Sequence, residues 1–240
     1  MHSLSFRLSR TLTRSTAHGG ASLLAVVSIT LAACNSSSAA TTTKGAVTAR
    51  TVATAAPGDS FTTLIDQSRI AGNPAARVWM VMASDFQCPY CKQFHDQSFA
   101  SLRRDYVDNG KVRMAFLNFP LSIHANAFVA AEAAMCAGAQ NRFWPMHDAL
   151  FAQQDRWARR SPPLPVFDSL ATAIGIDHVA LDRCIAAKQP DAMIQADIDR
   201  AGRAGVQSTP TIIVGSQLIA GAQNTDVFRK QLDAALAAAH

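Results

Sequence analysis

Two cysteines two residues apart, Cys88-Pro89-Tyr90-Cys91, stand between an apolar run and a helical pattern. Upstream, Val78 to Ala83 is near-continuously apolar, the pattern of a buried central strand rather than a half-exposed one. Downstream, Cys91, Phe94, Ser98, Leu102 and Tyr106 recur at helical spacing, so a helix should begin around Cys88. A strand that feeds a helix through a dithiol loop narrows the fold to a mixed α/β class.

The same placement sets the chemistry. A helix start offers unpaired N–H groups and the positive end of the macrodipole, both of which favour an anion. Cys88 gains most, so its pKa should fall below the free value of about 8.5. Cys91, one turn in, faces the interior and serves as the resolving thiol. A structural zinc knuckle also uses this spacing but needs two further ligands, and Cys136 and Cys184 are isolated singles. Cu(I) handling is the other metal reading, weakened by the lack of a Met- or His-rich tract. No resident metal or cofactor is expected.

Further along, Asp59 to Ser68 reads as a short helix and Lys111 to Phe119 as a second strand, ended by Pro120. Residues 123–205 are mostly helical in pattern, with Asp177 as an N-cap and Pro190 opening a later helix. Thr211-Ile212-Ile213-Val214 and Gln217-Leu218-Ile219-Ala220 flank Gly215-Ser216, a hairpin signal, and Phe228, Leu232 and Leu236 mark a closing helix. Pro210 lies just ahead of that hairpin; by itself it reads equally as an ordinary trans turn residue.

The N-terminus carries its own pattern. Arg7, Arg10 and Arg14 precede the short apolar stretch Ala21 to Leu31, which ends in Leu31-Ala32-Ala33-Cys34. This looks like a lipoprotein signal, residues 1–33, with Cys34 as the lipidated residue; a signal for soluble secretion is the alternative. Residues 34–58 are rich in Ser, Thr and Ala and read as a flexible tether to a folded domain at 59–240. Without the leader the formal charge falls from +5 to +2, and no basic block with interleaved aromatics occurs, so a nucleic-acid partner is not expected. Signal and cysteine usage both place the protein outside the cytoplasm, where disulfides persist.

Several runs together resemble the DsbA-like disulfide oxidoreductases of the thioredoxin superfamily. They are Gly72-Asn73-Pro74, Val78 to Ser84, Asp85-Phe86-Gln87-Cys88-Pro89-Tyr90-Cys91, Ala134 to Gln140, Phe143-Trp144 with His147-Asp148 and Leu150-Phe151, and Gly205 to Val214. The resemblance implies a thioredoxin fold, a mixed central sheet flanked by helices, with an inserted helical subdomain at about 123–205. It implies Cys88 as nucleophile, Cys91 as its partner, and a cis Pro210 beside them. Pro89, Tyr90, Thr209 and Pro210 would then meet substrate, Thr209 through its free backbone groups. A structural disulfide between Cys136 and Cys184 is implied in the same way; two inert buried thiols are the alternative. The implied activity is donation of disulfides to unfolded or partly folded cysteine-containing envelope proteins, with a membrane redox partner that resets the dithiol. Reductase or isomerase action is the rival direction, and a non-catalytic Cu(I)-binding or chaperone-like module a more distant one. With no extra N-terminal domain in 35–58, a monomer is expected.

Two departures bear on strength. Met82 stands where many relatives carry a buried acid, and Tyr90 cannot place an imidazolium beside the thiolate. Asp85 and His95 are the nearby groups able to tune the dithiol. His147 and Asp148, adjacent on a helix, point about 100° apart and are expected to serve packing and a local cap rather than to act together.

Overall fold

The computed structural model describes residues 60–239. The signal-like segment 1–33, Cys34 and the tether 34–58 lie outside the described residues.

Five strands form one sheet in the order β1-β3-β2-β4-β5. Their spans are β1 Ile70–Ala71, β2 Val78–Ser84, β3 Val112–Asn118, β4 Thr211–Val214 and β5 Gln217–Ala220. β2 is central, parallel to β3 and antiparallel to β4, with Met82 opposite Phe116 on one side and Ile212 on the other. Its burial is less complete than the apolar run suggests: Trp79 and Val81 are only half-buried. The Arg113 guanidinium lies 4.5 Å from the Trp79 ring centroid, so a cation rather than a packed layer covers that stretch.

Helix α1 (Ser60–Ser68) precedes the sheet, and α2 (residues 89–107) connects β2 to β3. Cys88 is the N-cap of α2 and Pro89 its first residue, where a missing N–H costs nothing. Two wide π-turns, His95–Phe99 and Arg103–Val107, interrupt α2. Each adds a residue to a turn, so Phe99 and Val107 join Ser98 and Tyr106 in the interior.

Between β3 and β4 the chain inserts a helical subdomain. It comprises α3 Ala127–Gly138, α4 Phe143–Ala152, α5 Gln154–Trp157, α6 Leu164–Ala173, α7 His178–Ala186 and α8 Asp191–Arg203. Asp177 caps α7, its Oδ1 accepting from the N–H groups of Val179 and Ala180. α3 is buried nearly all round rather than on one face, because α1, α4, α7 and α8 all pack against it. Cys136 on α3 and Cys184 on α7 form a disulfide, with Cα atoms 5.9 Å apart.

Asp197 on α8 ties the insert to the sheet. Its buried carboxylate accepts from the Asn118 backbone N–H at 3.1 Å and Nδ2 at 2.9 Å, and pairs with the buried Arg69 guanidinium. Arg69 also donates to the Phe116 carbonyl and pairs with Asp66. Gly72 takes φ +100°, and a Cβ there would fall 2.6 Å from the Val112 carbonyl oxygen. Only glycine permits that approach of the β1–β2 loop to β3. Gly215, at φ +60°, turns the β4–β5 hairpin, and α9 (Thr225–Ala238) buries Phe228 and Leu232 against the sheet.

Candidate active site

The end of β2, the start of α2 and the loop before β4 converge on the two free thiols, Cys88 and Cys91, both buried. The Cys88 thiol reaches the carbonyl oxygen of Thr209 at 3.5 Å. The Thr209–Pro210 peptide is cis, and among the described residues neither the Thr209 N–H nor its C=O makes a backbone hydrogen bond. Tyr90, 61% exposed, stands at the mouth of the site.

The two thiols have opposite acidities. Cys88 is held at about 6, chiefly because the Cys91 thiol donates a hydrogen bond to its thiolate; burial opposes this, while the Thr209 side chain and the backbone N–H groups of Cys91 and Tyr90 assist. Cys91 is pushed well above the usual thiol value, first by burial and then by the proton it lends to Cys88. The dithiol therefore holds one anion at neutral pH, placed on the outer sulfur. Such a pair can form a mixed disulfide at Cys88 and resolve it with Cys91.

Asp85 is fully buried, yet it braces a loop. Its Oδ1 accepts from the Gln87 N–H, and its Oδ2 accepts from the Leu121 N–H and contacts His124 Nδ1 at 2.6 Å. What reaches Cys91 from Asp85 is the backbone N–H, 3.4 Å from the sulfur.

His147 and Asp148 do come together, which corrects the geometric expectation above. His147 Nδ1 lies 2.8 Å from Asp148 Oδ1, and His95 Nε2 from α2 lies 3.4 Å from the same oxygen. A separation of 100° at Cβ does not keep apart an imidazole and a short carboxylate that both bend toward a third group. The two histidines hold the Asp148 carboxyl far below its usual range against the opposing pull of burial. Donor atoms of His95, His147 and Asp148 lie within 4.8 Å of one another, close enough to ligate a metal, and in this structure they pair among themselves.

Three amides that the sequence did not single out hold the dithiol loop to the insert. Gln154 Nε2 donates to the carbonyls of Phe86 and Cys88. Gln87 donates to the Ala158 carbonyl and accepts from the Asn126 N–H, while Asn126 Nδ2 reaches the carbonyls of Trp157, Ala158 and Arg160. Their partners are backbone atoms distant in sequence, so no spacing rule marks them.

The family described as thioredoxin matches residues 64–234, most of the chain. The chain belongs to the thioredoxin family. Within the thioredoxin-fold structures, it superposes on BdbD from Bacillus subtilis with a TM-score of 0.65 and 24% identity, over 70% of this chain and 92% of that one. Wolbachia pipientis alpha-DsbA1 gives 0.64 and 22%, over 71% and 92%. Both likenesses concern the fold. Among curated relatives, disulfide bond formation protein D of Bacillus subtilis is 24% identical over 68% of this chain and 75% of its own length. Na(+)/H(+) antiporter NhaA 3 of Salinispora tropica is 34% identical, and this thioredoxin-family chain spans only about a quarter (26%) of it. Among the described residues no helix is long and apolar enough to cross a membrane.

Proposed function

We propose that this thioredoxin-family protein is a thiol–disulfide oxidoreductase that donates its Cys88–Cys91 disulfide to cysteines of secreted or envelope proteins. The observation that carries the reading is the placement of the pair: Cys88 caps α2 within reach of Thr209 while Cys91 lies buried behind it, an arrangement that lowers the Cys88 pKa to about 6 and raises that of Cys91. A stabilised Cys88 thiolate is a good leaving group and favours the reduced protein, which makes the disulfide a donor. Relatives named disulfide bond formation protein D support the same direction. The backbone groups of Thr209, which make no backbone hydrogen bond among the described residues and of which the carbonyl meets only the Cys88 thiol, suit an extended substrate segment laid beside the dithiol, with Pro210, Pro89 and Tyr90 around them.

The leader and Cys34 extend the reading to a lipid-anchored protein on the outer face of a membrane, where a membrane redox partner reoxidises the dithiol. Cys34→Ser should move the protein from the membrane to the soluble fraction.

Oxidised protein mixed with reduced, unfolded ribonuclease should remove substrate thiols, and Cys88→Ser should abolish the transfer. Retained transfer in Cys88→Ser sinks the proposal. The potential against glutathione fixes direction: above about −180 mV it is a donor, near about −270 mV a reductase.

A further inference from the structure

When the Cys88–Cys91 disulfide opens, Cys91 must gain a proton, and it must lose one when it attacks. The strand beneath it supplies Met82, which can do neither. A cavity of about 10 Å³ lies against Cys91, walled by Met82, Ser84, His95, His147 and Pro210 among others. That is roughly room for one water molecule, and Ser84 and Cys91 provide polar partners.

Apart from Cys91, the ionisable groups in the cavity wall are His95 and His147. Both ring nitrogens of His95 are engaged, Nδ1 with Asp96 Oδ1 at 2.9 Å and Nε2 with Asp148. His147 uses Nδ1 on Asp148, and among the described residues its Nε2 has no hydrogen-bond partner. The Asp148 carboxylate fixes the ring proton on Nδ1, which leaves the lone pair on Nε2. We propose that His147 passes the proton to and from Cys91 across this cavity, with Asp148 and His95 leading it to solvent. Besides Cys91, three charged or titratable groups among the described residues act on His147: Asp148 from its own helix, and His95 and Arg103 from α2.

The step balances. A substrate thiolate attacks Cys88 Sγ, the Cys88–Cys91 bond breaks, and its electron pair goes to Cys91 Sγ, which takes a proton through His147. The second substrate thiolate then attacks the substrate sulfur bonded to Cys88 and releases the Cys88 thiolate. The substrate loses two electrons and two protons; the dithiol takes both electrons and one proton, and solvent takes the other. Burial keeps His147 neutral at rest, ready to accept the proton in the reverse direction.

This rests on the oxidoreductase reading, which ribonuclease oxidation by the wild type tests separately. A mixed disulfide of Cys88 with a peptide thiol is prepared, and peptide release by Cys91 is followed by stopped flow from pH 4.5 to 8.5. Wild type should show an inflection below the ordinary histidine value. His147→Gln should lose that inflection and roughly a hundredfold in release rate, with the iodoacetamide profile of Cys88 unchanged. Asp148→Asn should move the inflection to lower pH, because the imidazolium loses its carboxylate. Wild-type release in His147→Gln, or equal slowing of release and alkylation, overturns the proposal. If His147→Gln does not fold, an unmoved inflection in Asp148→Asn overturns it instead.

Discussion

Cys88 joins two demands that normally conflict, burial and charge. Burial alone would raise its pKa, as it does for Cys91; the difference is that the Cys88 thiolate receives the hydrogen bond that Cys91 gives. Its alkylation rate by iodoacetamide should therefore rise about tenfold per pH unit up to about 6 and level off above it. A profile still rising at pH 8 would contradict the assignment. The linkage sign follows: a depressed folded value stabilises the reduced protein fully above the unfolded value, here 9.0, and the contribution is lost as pH falls through about 6. The stability gap between reduced and oxidised forms should shift toward the reduced form between pH 6 and 9 and stay flat below.

At the level of elements, the insert is useful only if it is held in register with the sheet, and Asp197 is the group that does so from α8. Asp197→Ala would leave the buried Arg69 guanidinium short of one carboxylate and Asn118 short of an acceptor. Losing one partner of a buried pair costs about 3–5 kcal/mol. A shift below about 1 kcal/mol in urea unfolding would show that Asp66 alone compensates. This link was invisible in the sequence, since Arg69, Asn118 and Asp197 are far apart and none falls in a motif. By contrast β2, α2, β3 and the β4–β5 hairpin were legible, because each is written in local periodicity or turn chemistry. The dithiol was legible for the same reason. The His147–Asp148–His95 contact was not, because the π-turn at His95–Phe99 changes which residues α2 turns toward α4. Angular reasoning within one helix omits the neighbouring helix that supplies the third group.

For the whole molecule, pH and the second disulfide act on stability through the insert. Glu132 on α3 is buried beside Asp191, and burial first, then the shared hydrogen bond with Asp191, lifts its carboxyl to about 7. A raised folded value means a contribution fully present below the unfolded value near 4.5 and lost as pH rises through about 7. The Glu132 contribution to melting temperature should thus decline from pH 4.5 to 7.5, and Glu132→Gln, compared with wild type in the same redox state, should remove it, raising Tm at pH 8 but not at pH 4. Each kcal/mol recovered corresponds to about 2–4 °C in a domain of this size. Equal Tm profiles for wild type and variant would remove Glu132 from the account.

The Cys136–Cys184 bridge divides stability from turnover. It joins positions 48 apart in sequence, for which the chain-entropy model gives about 4 kcal/mol. Its helices, α3 and α7, contribute none of the groups that act on Cys88, which come from α2 and the Thr209 segment. Replacing both cysteines by alanine should therefore lower Tm by about 10 °C, from that energy at 2–4 °C per kcal/mol. Ribonuclease oxidation at 25 °C should stay within about twofold of wild type, because the dithiol environment is unchanged. Calorimetry and the transfer assay on one preparation separate the two effects. A folded double variant with transfer reduced tenfold or more would mean that electrons, or the shape of the substrate surface, depend on the bridge after all.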